Sequence, residues 1–405
     1  MLTPDQFISA SELPAFKIDV AEFNVNGACL GPTTLHIHYN EQFSPRIQLQ
    51  ELATFKDAFN QPTISFKYKT GDTDQTLFIT KANFSSNKPE TDIEAVSTRE
   101  PILLVDKQTS SSFDAVLLNP PEFLQKPIIL TDIDGVEYTI VRAKETNSPC
   151  VISSNLELRA DAPLKPLGPL IDFLTFVKGG HLGFGNLIAH DENAVIALRL
   201  IGFTRNDAQK RKTNWFDIGI QSQLPAIFTL FTKALSDDLA QTALRQTIEF
   251  YRASNASRDV SIEMSIIAAH SALEAIVNFI LEYRAGWSNA LMTSRTNSFS
   301  DKLRAACYYY GIQADLLSES PELRKVVSAR NIDSYALISF FRNKLVHQDI
   351  KFTPTGIQLH EIWLLAQWLV EVLIFGVIGY RGKMIDRRLY QGWRGQTCQI
   401  PLKNI

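Results

Sequence analysis

Cysteine is scarce and scattered. Four occur, Cys29, Cys150, Cys307 and Cys398, with no CxxC pair and no Cys/His cluster. That excludes a disulfide framework or a thiolate zinc site built from neighbouring residues. A basic excess is missing too: the formal net charge is -3, so any contact with nucleic acid has to use a local patch. Met1 to Pro14 has acidic residues but neither the basic segment nor the apolar core of a secretory leader, and a cytoplasmic protein is expected. The glycine-rich stretch Gly179 to Gly185 has no Lys-Ser or Lys-Thr after it, which makes it a turn and not a phosphate loop. His36 and His38 alternate on an expected strand with no third ligand at a convincing spacing, so neither metal nor cofactor is expected. Long hydrophobic runs are rare. Ile362 to Ile378 approaches the length of a bilayer span, but Glu361, Gln367 and Glu371 interrupt it. Each would be costly in lipid, which favours a helix buried in a bundle and no membrane partner.

What is present suits a folded chain. Hydrophobic residues make up 45% and charged residues 20% of 405 positions, ordinary for globular proteins but too long for one core. From Phe16 to about Ile201, short alternating runs such as Thr33 to His38, Thr63 to Tyr68 and Glu137 to Val141 are separated by Gly, Pro, Asn and Asp. This is the period of half-buried strands, and it predicts an antiparallel sandwich or barrel. Leu167 to Phe176 fits a short helix within that region. Beyond the basic run Arg205 to Lys212 the period changes. Apolar residues recur at spacings of three and four in Leu224 to Tyr251 and again in Val260 to Tyr283, the latter carrying His270 and Glu274 one turn apart. Ser298 with Asp301 reads as a capping box, Ser320-Pro321 as a helix start, and two more helices follow, about 333–347 and 357–380. The expected architecture is therefore α+β and multidomain: a β-rich domain over 1–204, a linker and helical connector over 205–257, and an all-α bundle with a basic tail over 258–405.

The chemistry concentrates in Arg342-Asn343-Lys344-Leu345-Val346-His347. Five helical steps rotate by about 140°, so Arg342 and His347 do not share a face, whereas Asn343 and His347 do. His347 falls at the helix end, where the dipole favours a cation and an imidazole can move protons. Arg342 can neutralise phosphate charge, and Asn343 can orient the imidazole or bind substrate. Glu274, a carboxylate on a largely apolar helix, needs a partner, and Arg342 or His270 would serve. In the tail, Arg387, Arg388, Tyr390 and Trp393 interleave cations with aromatics, a combination suited to single-stranded RNA or to packing back on the bundle.

With that motif near the end of a late helix, the segment from about Ser261 to Tyr390 resembles a HEPN domain. Ala272-Leu273-Glu274 on a long helix and Phe299-Ser300-Asp301-Lys302-Leu303 on a capped one precede it in the order that family uses. A β-rich half before such a bundle is similar to the ApeA-like prokaryotic antiviral group. The resemblance implies a metal-independent endoribonuclease acting through the RNA 2′-hydroxyl. Arg342 and His347 would be catalytic and Asn343 and Glu274 supporting; the substrate would be RNA, transfer RNA among the candidates. It also implies a homodimer and an N-terminal domain that senses a phage-derived or cellular trigger in abortive infection. The alternatives are an inactive HEPN-like module that dimerises or binds nucleotide or protein, and a membrane-disrupting effector using Ile362 to Ile378.

Overall fold

Alternation gives strands and three-four spacing gives helices, and the computed structural model keeps the two in separate regions of the chain. It describes residues 16–25, 28–29, 31–39, 45–49, 64–70, 73–85, 92–98, 102–118, 126–142, 150–203, 214–312, 315–347, 352–389, 392–393 and 395–403. Two compact units result. The first takes residues 1–129, 136–168 and 182–206; the second takes 130–135, 169–181 and 207–405. An N-terminal antiparallel β region followed by a C-terminal helical region is the α+β arrangement expected from sequence.

The β unit holds two seven-stranded antiparallel sheets. In the first, strands β1 (Phe16–Val25), β3 (Thr33–Tyr39), β4 (Pro45–Leu49), β5 (Ile64–Thr70), β6 (Thr73–Ser85) and β7 (Asp92–Thr98) run in the order β4-β3-β1-β5-β6-β7. The short β2 (Ala28–Cys29) pairs with β1. The edge strands β4 and β7 lie against each other, so this sheet curls toward a barrel. The second comprises β8 (Ile102–Val105), β9 (Ser112–Leu118), β10 (Ile128–Thr131), β11 (Glu137–Arg142), β12 (Cys150–Ser154), β13 (Gly183–His190) and β14 (Ile196–Phe203). Its order is β10-β11-β12-β9-β13-β14-β8. Gly179 adopts φ +70°, as a turn requires, but Gly183 and Gly185 already belong to β13. The glycine-rich stretch is thus half turn and half strand.

The helical unit starts with a piece borrowed from the middle of the chain, α1 (Gly168–Lys178). Then come α2 (Leu224–Leu235), α3 (Asp238–Ser257) and α4 (Ile262–Phe279), the last ending in a π-helical turn, Ile280–Arg284. After these come α5 (Asn289–Thr293), α6 (Phe299–Tyr309), α7 (Pro321–Arg330), α8 (Ala336–Val346) and α9 (Gly356–Ile378). Asp237 restarts the chain as α3 by accepting the Leu239 and Ala240 N–H groups. Ser298 and Asp301 form the expected capping box on α6, and Thr355 with Gln358 forms another on α9. Residues 205–257, expected as a linker and connector, supply α2 and α3, both packed into this unit.

The centre is α9, which touches α2, α3, α4, α7 and α8. Both α4 with its π turn and α9 are long and apolar enough to cross a membrane. The most apolar stretch of α9 is nevertheless 89% buried within the protein, so its greasy surface is taken up by neighbouring helices. At one end Phe176 of α1, Trp215 and Phe375 of α9 form a triangle of rings with centroids 4.9 to 5.5 Å apart. Trp215 Nε1 donates to the Phe176 carbonyl at 3.0 Å, and Asn214 Nδ2 to that of Val177 at 2.7 Å. These bonds fasten α1 to the start of the C-terminal segment.

Candidate active site

Helix α8 is fixed at its start by Asp333, which accepts the N–H groups of Tyr335 and Ala336 at 2.8 and 2.9 Å. Leu337, Ile338 and Phe341 are buried, and Phe340 and Phe341 both pack on Phe352. That leaves the motif residues at the margin: Arg342 half-buried, Asn343 and His347 exposed. The Arg342 Nη1 donates to Asn343 Oδ1 at 3.1 Å. The His347 backbone N–H donates to the Asn343 carbonyl at 3.0 Å, closing the last turn. His347 is itself the C-cap, with φ -101° and ψ 10°, and among the described residues no hydrogen bond or ion pair holds its imidazole.

Opposite lies α4, which contacts both α8 and α6. His270 is buried, its ring against Phe299 at 4.5 Å between centroids, and its Nδ1 stands 3.4 Å from Glu274 Oε2. The Glu274 carboxyl is held below its ordinary value, first by the hydrogen bond from His270; partial burial opposes this, and the charges of His270, Arg342 and Lys302 reinforce it. Lys302, on α6, donates to the Met292 carbonyl at 2.6 Å. The fold thus gathers His270, Glu274, Lys302 and Arg342 from three helices into one electrostatic cluster beside the exposed end of α8. Of the two partners considered for Glu274, His270 makes the contact and Arg342 acts through its charge. His270 was visible one turn from Glu274; Lys302 reaches the cluster only through tertiary packing.

Of the two readings of the tail, Arg387 and Arg388 follow the one in which it packs back on the bundle. Arg387 has a side chain with no solvent exposure: Nη2 meets Glu371 Oε1 at 2.5 Å and the Tyr251 hydroxyl at 3.2 Å, and Nη1 meets Asn255 Oδ1 at 3.4 Å. Arg388 grips Asp386 with two bonds of 2.6 and 2.9 Å, donates to the Leu316 carbonyl and lies 3.6 Å from the centre of the Trp368 ring. Neither guanidinium is available to RNA, because each is already neutralised and desolvated inside the fold. The signal was Glu371 itself: a carboxylate within an apolar helix needs a buried cation. Trp393 is 72% exposed, and Tyr390 lies outside the described residues.

Comparison with known proteins bears on this helical unit. No solved structure matches the chain. The chain is 24% identical over 239 residues to the SPbeta prophage-derived uncharacterized protein YopA of Bacillus subtilis (strain 168), an alignment covering 55% of this chain and 50% of that protein. It therefore spans about half the length of the curated relative it matches. A family described as the YopA C-terminal domain matches residues 237–399, from the N-cap of α3 to the final short strand, Cys398–Gln399. The segment carrying Glu274, Arg342, Asn343 and His347 is thus similar to the YopA C-terminal domain.

Proposed function

We propose that the helical unit is a metal-independent endoribonuclease of HEPN type, acting in a phage-related setting under control of the β unit. The observation that carries this reading is the cluster of Arg342, Lys302, Glu274 and His270, with an exposed His347 at the end of the helix that supplies Arg342. Two cations gathered around Glu274 and an imidazole at the end of the same helix as Arg342 suit a phosphodiester, whose charge grows as the 2′-oxygen attacks phosphorus. His347 takes the 2′-hydroxyl proton, the 2′-oxygen bonds to phosphorus, and the 5′-oxygen bond breaks. The leaving oxygen collects a proton, giving a 2′,3′-cyclic phosphate and a 5′-hydroxyl end. Arg342 steadies the phosphoryl oxygens, with Asn343 holding its fork and the charge of Glu274 nearby. A second copy of the chain would bring a second imidazole for the leaving group, so a homodimer belongs to the reading. The prophage origin of the YopA relative favours a role in conflict between phage and host.

RNA cleavage in EDTA by the full chain tests this. Arg342→Ala and His347→Ala, both at the margin of the bundle, should each lower the rate by about 100-fold or more with folding intact. Sequenced RNA ends should carry the cyclic phosphate. Cleavage that survives both substitutions, or that requires a divalent metal, sinks the proposal. A second reading, a dimerising module without catalysis, is favoured by the Arg342 to Asn343 bond, which engages the guanidinium within its own helix. It predicts growth inhibition indifferent to both substitutions.

A further inference from the structure

Strand β9 reads Ser-Phe-Asp-Ala-Val-Leu-Leu, and Asp114 stands in its middle with 2% exposure. The strand is paired on both sides, by β12 and β13, so this carboxylate sits at the centre of a sheet. It accepts one hydrogen bond, from Ser153 Oγ at 2.5 Å, and among the described residues no cationic side chain pairs with it. A carboxylate that lines a cavity with one hydroxyl as its partner keeps acceptor capacity free, and a cation is its natural counterpart.

The space for that cation exists. Asp114 lines a cavity of about 660 Å3 on one face of the second sheet, a size typical of small-molecule sites. The register orders its wall. Thr139, Ser153 and Asp114 stand in one row across β11, β12 and β9, and Val141 and Val151 form the row beside it. A charged, hydroxyl-bearing strip next to an apolar strip fits a molecule with a cationic head and an aliphatic stem. Asp191, at the margin, cannot replace Asp114, because Lys107 and the turn N–H groups of Asn193 and Val195 occupy its oxygens.

We propose that this face of the β unit binds a small organic cation, a guanidinium or primary ammonium on a short alkyl stem, with Asp114 as counter-ion and the two valines as the seat of the stem. The site and the helical cluster are built from residues of different units, so either reading can fail without the other. Calorimetric titration of the full chain with n-butylguanidinium and with its neutral isostere n-butylurea tests it. Saturable binding of the cation at one site per chain is expected, with the urea at least about tenfold weaker, equivalent to about 1.4 kcal/mol. Asp114→Asn should erase that difference. Should that variant fail to fold, Thr139→Phe fills the cavity, leaves the carboxylate in place and should abolish binding. Equal affinity for both probes, no saturable binding at millimolar concentration, or wild-type binding by either folded variant overturns the proposal.

Discussion

Glu274 shows how one side chain reports its surroundings. Its carboxyl is lowered chiefly by His270, so it binds protons less readily in the folded chain than in the unfolded one. Stability from that difference is present above the unfolded carboxylate range and is lost as pH falls through the lower folded value. Glu274→Gln removes the dependence. Its melting temperature should fall less steeply than that of the wild type on acidification, while at neutral pH the half-exposed pair is worth less than about 1 kcal/mol. All five tryptophans, Trp215, Trp287, Trp363, Trp368 and Trp393, belong to the helical unit, so their fluorescence follows this melting directly. The sequence placed Glu274 and His270 one turn apart and Asn343 and His347 on one helical face, because helical spacing is a local property. It could not place Lys302 beside Glu274, since that proximity depends on how α6 packs.

Among the elements, α9 carries a close steric condition. Gly376 lies against the Tyr310 ring, and a Cβ added there would come within 2.9 Å of two ring carbons. Gly376→Ala forces an aromatic ring to move in a close-packed interior, and should cost about 1–3 kcal/mol in chemical denaturation followed by tryptophan fluorescence. Helix starts were the most legible features of the elements. The Ser298 and Asp301 box caps where its side-chain chemistry requires, and Ser320-Pro321 opens α7 through the proline alone, with no side-chain cap bond. The π turn at Ile280–Arg284 was not legible, because it closes the helix and no further apolar turn follows it to show the change of spacing. The tail left two readings open. Alternating cations and aromatics look the same in sequence whether they face solvent or, like Arg388 on Trp368, pack inside.

At the scale of the whole molecule, Arg387 ties the tail to the helical centre through Glu371 and Tyr251. Arg387→Met strands a buried carboxylate and should destabilise the helical unit by about 3–5 kcal/mol in denaturant titration, with most of that loss recovered when Glu371→Leu is added. The division into a β half and a helical half was clear from the change of period near residue 205. The interleaving was not, because a short helix gives no sign in its own sequence of which core it joins.

That interleaving makes α1 a detachable part. The segment matched by the YopA C-terminal domain begins after it, yet Phe176 and the bonds to Trp215 and Asn214 belong to the core of that same unit. Residues 207–405 produced alone should fold poorly. Produced together as two polypeptides, 1–206 and 207–405 should reassemble and co-elute in size-exclusion chromatography, as the halves of a split reporter do.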